Sequence, residues 1–72
     1  MFYMKNKFNE QIKTLRIENN LSRSELADKL SVSTRLISYW ENGKRECDFD
    51  MLIKISELFS VSVDFLLGRK DY

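Results

Sequence analysis

The sequence predicts an all-α domain of five helices, and three observations carry that reading. No proline occurs in the 72 residues, and the two glycines stand at 43 and 68, so few positions break a helix. Apolar residues recur at helical spacing, with Phe8, Ile12 and Leu15 at i, i+4 and i+7. Ser22, Ser33, Asp48 and Ser62 stand ahead of successive helical runs, where a short side-chain oxygen can accept from the free amides of a first turn.

The first helix is predicted from about Asn6 or Asn9 to Asn20, with Asn19-Asn20 ending it. Ser22-Arg-Ser-Glu25 is a capping box and opens the second helix, whose apolar edge is Leu26, Ala27 and Leu30. Ser31-Val32-Ser33 interrupts the pattern, and Ser33 caps a third helix from Thr34 to Asn42. Ile37 and Trp40 face inward there, and Gly43 occupies the place where a left-handed residue closes a helix. After the connector Lys44-Arg-Glu-Cys47, Asp48 caps a fourth helix on which Phe49, Leu52, Ile53, Ile55 and Phe59 form a broad apolar face ending at Ser60. Ser62 caps a short fifth helix, Val63 to Leu67, closed by Gly68. The whole reads as one domain, 1–72, with a helix-turn-helix at about 22–42 and an N-terminal extension at 1–6.

Composition narrows the function. At 43% hydrophobic and 32% charged, with nine aromatic residues, the chain has the balance of a folded domain, and its size allows one core of about a dozen side chains. It has no histidine and one cysteine, Cys47, which excludes disulfide frameworks, zinc fingers and Cys-His or Ser-His catalysis within these residues. The eleven carboxylates are scattered and no nucleophile has a base, so no enzyme is expected and no cofactor is implied. Apolar runs are far shorter than the ~20 residues that cross a bilayer, so no membrane role is expected. Met1-Phe-Tyr-Met-Lys-Asn-Lys7 lacks the form of a signal peptide, and a lone thiol suits a reducing cytoplasm.

The net charge of +1 hides an asymmetry: residues 1–45 hold nine Lys and Arg against five acids, a balance of +4, and residues 46–72 carry −3. A basic half facing a polyanion and a neutral or acidic half facing away is the functional reading of such a chain.

The stretch from Leu21 to Arg45, LSRSELADKLSVSTRLISYWENGKR, resembles the DNA-binding domain of phage Cro and repressor proteins and their Xre-type bacterial relatives. The likeness extends back to Phe8 and, through Val61-Ser-Val-Asp-Phe-Leu-Leu-Gly68, forward to Gly68. It implies a compact phage-repressor-like domain with the helix-turn-helix at helices 2 and 3. Ala27 stands where two helices cross, and nothing beyond a Cβ lets them approach closely. Three positions depart from the family pattern: Arg23 stands where Gln is common, Ser31 where Gly is common, and Cys47 where Pro is common.

The resemblance makes the third helix a recognition helix lying in the major groove. Its expected base contacts are Thr34, Arg35, Leu36, Ser38 and Tyr39, with Arg35 able to bond guanine O6 and N7 together. Arg23, Ser33, Asn42, Lys44 and Arg45 are expected on phosphates, which position a protein without specifying sequence. Arg16 and Glu41 are implied as a structural salt bridge between the first and third helices. The expected function is sequence-specific binding of double-stranded DNA by a transcriptional regulator, a repressor acting as a homodimer on a palindromic operator. Phe65, Leu66, Phe2 and Tyr3 are the expected seam of that dimer. The rival reading is a protein-interaction module, an antitoxin or adaptor whose partner would be a toxin or antirepressor.

Overall fold

The computed structural model describes residues 6–71 and contains five α-helices: α1 Phe8–Glu18, α2 Arg23–Leu30, α3 Thr34–Glu41, α4 Phe49–Phe59 and α5 Val63–Leu66. Each begins and ends for a local reason. Ser22 accepts from the Glu25 amide and Glu25 returns a bond to the Ser22 amide, so both halves of the capping box are made. Ser33, Asp48 and Ser62 accept from the amides of Leu36, Met51 and Phe65, each three residues on. Only α1 starts without an N-cap side chain; Asn6 Oδ1 instead accepts from the Phe8 amide at 3.0 Å.

All five helices close in the same way. Asn20, Ser31, Gly43, Ser60 and Gly68 have positive φ, between 56° and 79°, and the residue after each donates its amide to a carbonyl five positions back. These are Schellman closures, which satisfy carbonyls the helix leaves open. In three joints the chain runs from the left-handed residue to an apolar residue to a serine N-cap: Asn20-Leu21-Ser22, Ser31-Val32-Ser33 and Ser60-Val61-Ser62. The first helix therefore stops at Glu18, two residues short of the sequence expectation, because its last turn unwinds into the left-handed Asn20.

The core holds eleven buried apolar side chains, Phe8, Ile12, Leu15, Leu26, Ala27, Leu30, Ile37, Trp40, Leu52, Ile55 and Leu66. Trp40 is its largest side chain and meets the Phe8 ring edge-on, centroids 6.0 Å apart. Polar ties hold the outer helices to this centre. Gln11 Nε2 donates to the Phe65 carbonyl, joining α1 to α5, and Lys54 Nζ donates to the Leu30 carbonyl, joining α4 to the end of α2.

Two expectations change here. Leu66, expected in a dimer seam, is 0% exposed and belongs to the core, because the single turn of α5 can enter the bundle only by burying its last apolar residue. The broad apolar face of α4 is split: Leu52 and Ile55 are buried, whereas Phe49 is 83% and Ile53 49% exposed. At 100° per residue, Phe49 and Ile53 share one edge of α4, beyond the reach of the core. Phe2 and Tyr3 lie outside the described residues.

Candidate nucleic-acid interface

The shape of α3 follows from its eight residues. Ile37, Trp40 and Glu41 are buried and set which way the helix is turned. Thr34 and Arg35 then project to solvent, with Ser38 and Tyr39 half-exposed one turn later on the same face. This face carries four of the five side chains expected on bases. Leu36 is the exception: it is rotated about 100° from Arg35 and packs against the core, as Val32 and Met51 also do, so it leaves the outward set.

A buried carboxylate locks α3 to its neighbours. Arg16 Nε and Nη2 bond Glu41 Oε2 and Oε1 at 2.6 and 3.2 Å, while Arg16 Nη1 donates to the Leu21 carbonyl. Arg16 and Glu41 are thus joined as the resemblance implied. Arg23, expected only on a phosphate, adds a third bond to the carboxylate, from its Nε to Glu41 Oε1 at 3.1 Å. The side-chain exposures are 1% for Glu41, 11% for Arg16 and 43% for Arg23. One residue of α3 therefore grips α1 and α2 together, and the site keeps a surplus positive charge at the entrance to α2.

The other residues expected on phosphates flank the two ends of α3. Ser33 lies at the start of α3, and Asn42, Lys44 and Arg45 follow its end, all exposed. Gly43, at φ 74°, turns the chain sharply, and the amides of Lys44 and Arg45 both reach the Tyr39 carbonyl. Arg45 then folds back so that its guanidinium carbon lies 5.5 Å from the centre of the Tyr39 ring. Its acidic neighbour Glu46 is turned aside, accepting from Asn6 Nδ2 at 2.9 Å. Two short helices packed on each other with Ala27 buried, the second with a polar and basic outer face, form a helix-turn-helix in geometry as well as in pattern.

The helix-turn-helix family model matches residues 12–66. The chain belongs to the helix-turn-helix family. Among relatives, this helix-turn-helix chain is 42% identical over 64 residues to the HTH-type transcriptional activator BcrR of Enterococcus faecalis, covering 89% of this chain and 31% of BcrR. It is 34% identical over 62 residues to the HTH-type transcriptional regulator ImmR of Bacillus subtilis (strain 168), covering 86% and 49% of the two. The chain thus spans about a third to a half of the length of these relatives. Among solved structures, a transcriptional regulator from Listeria innocua superposes with a TM-score of 0.85 at 31% identity, covering 90% of this chain and 61% of that one. The P22 c2 repressor, in complex with synthetic operator 9T, superposes with a TM-score of 0.80 at 27% identity, covering 88% and 96%.

Among the described residues, no group of His, Cys, Asp and Glu could hold a metal ion, and no helix is long and apolar enough to cross a membrane. Burial pushes the Cys47 thiol up to about 11, with the charges of Asp48 and Glu46 adding to the effect, so it stays protonated at neutral pH.

Proposed function

We propose that this domain binds double-stranded DNA in a sequence-specific manner and regulates transcription, as a binding protein with no catalytic step, in the cytoplasm. The observation that carries the reading is the two-sided α3. Its inner side is locked by Ile37, Trp40 and Glu41, which two arginines hold, and its outer side offers Thr34, Arg35 and Ser38 to base edges. Arg23, Ser33, Asn42, Lys44 and Arg45 hold the flanking phosphates. A relative named an activator matches this chain in sequence and a neighbour named a repressor matches it in fold, so the reading assigns regulation without a sign.

A single eight-residue helix reads one half-site, and a second copy supplies the other across a two-fold axis. A two-fold seam must be self-complementary, and the edge of α4 that exposes Phe49 and Ile53 meets that demand, with half-buried Phe65 as a further candidate. Selection of bound sequences from a random duplex pool tests the reading. The expected product is an inverted repeat with half-sites about 10 base pairs apart, centre to centre. Affinity should fall steeply with added salt as phosphate counterions are exchanged. No enrichment over the random pool, or one chain per selected site, would overturn it.

A further inference from the structure

Tyr39 is drawn on by more neighbours than a base-reading residue needs. Its carbonyl takes the Lys44 amide at 2.9 Å and the Arg45 amide at 3.3 Å, which closes α3 and turns the following chain back along the helix. Its ring, half-buried, lies beneath the exposed Arg45 guanidinium at 5.5 Å. Backbone and side chain of one residue therefore fix where the next cation stands.

We propose that Tyr39 is a positioning residue, a platform that holds Arg45 ready for a DNA phosphate flanking the half-site, and that its hydroxyl reads no base. The inference rests on the DNA-binding reading and replaces the role that the sequence suggested for this residue. A guanidinium is planar: it can lay its face on a ring while its N–H donors point outward in the plane toward an anion. An arginine on a connector loses rotamer freedom when it grips a phosphate, and a ring that already restricts it removes part of that loss in advance. The one acid adjacent to Arg45, Glu46, is bonded to Asn6 and does not compete for the guanidinium.

A double-mutant cycle tests the platform, with affinities measured by fluorescence anisotropy on the selected operator and on a random duplex. From the strength of exposed cation–π pairs, Tyr39→Leu should weaken both duplexes alike, by about threefold. Tyr39→Phe should recover that loss, because it restores the ring without the hydroxyl. Arg45→Gln should weaken both, and Tyr39→Leu should add nothing to it. Losses that multiply, or a Tyr39→Phe variant that discriminates less well than the parent, would overturn the proposal. A second readout needs no variant: proton resonances of the Arg45 side chain in the DNA-free protein should be shifted upfield by the ring, and unshifted resonances would also overturn it. A parent protein that binds no duplex would bring down the regulatory reading together with this one. A parent that binds while the losses multiply would bring down the platform alone.

Discussion

Glu41 is the residue on which the most depends. Its carboxylate is buried and satisfied by three guanidinium bonds, so its removal leaves cations without a partner. Arg23, at 43% exposure, can return to water; Arg16, at 11%, cannot do so without unpacking α1 from α3. Glu41→Ala should therefore lower the unfolding free energy by roughly 3 kcal/mol or more, measured by urea denaturation. Arg23→Gln should cost far less stability, because an exposed arm of an ion pair is worth little. On the outer face, Arg35→Ala should lose about 1 to 3 kcal/mol of discrimination at one base pair in each half-site. An equal loss on specific and random duplexes would show that Arg35 holds only the backbone. Competition binding against single-base variants of the operator distinguishes the two.

At the scale of the helices, the joints are where stability can be gained or lost. Ser31 and Ser60 hold left-handed conformations at φ 58° and 56° that cost a residue with a Cβ about 1 kcal/mol relative to glycine. Ser31→Gly and Ser60→Gly should each raise stability by up to about that amount, read from the shift in denaturant midpoint; Ser33→Ala should lower it by about 1 kcal/mol through the lost cap on α3. The capping box adds a pH dependence. Bonds from the Ser22 amide and hydroxyl, with a smaller contribution from Lys29, hold the Glu25 carboxyl below its usual value of 4.5. A depressed acid stabilises the fold fully above its unfolded value, and that contribution is lost as the pH falls through the folded one. The stability gap between the parent and Glu25→Gln should accordingly be present at pH 6 and shrink below pH 4, and a gap independent of pH would count against the box. The helices were legible in the sequence because Ser22, Ser33, Asp48 and Ser62 mark their starts so plainly. Two side-chain placements were not. On α4 apolar residues cover more than half of the circumference, so the pattern could not say that Leu52 turns inward and Phe49 outward. On α5 a single turn has no periodicity from which to read that Leu66 is core. The Arg23 bond to Glu41 was hidden for another reason, since it joins residues 18 positions apart and depends on how α2 and α3 cross.

For the molecule as a whole, the proposed reading divides the surface between DNA, on the basic N-terminal part, and a second copy, on the exposed α4 edge. Phe49→Glu should give a folded monomer that keeps weak, non-specific DNA binding and loses operator affinity, because each half-site then acts alone. Its exposure of 83% means that nothing in its own domain depends on the ring, unlike Phe65, which packs against the core. Sedimentation of the variant decides the matter, and a variant that stays dimeric would place the seam elsewhere. Cys47 provides a check on the integrity of each variant. With its thiol raised to about 11, it should react with iodoacetamide at pH 7.5 much more slowly than a free cysteine until the domain unfolds.

The repeated joint also bears on the speed of folding. Each of the five closures is made between residues no more than five positions apart, so it needs no distant part of the chain to be in place first. Loop closure over such spans takes on the order of tens of nanoseconds, and a helix of this length forms in under about a microsecond. Helices this short are marginal alone, so the remaining search is to dock transient, locally closed turns around Trp40. Refolding should then be complete within milliseconds, the range of small helical domains rich in local contacts. A regulator with that property regains its binding surface within milliseconds of losing it.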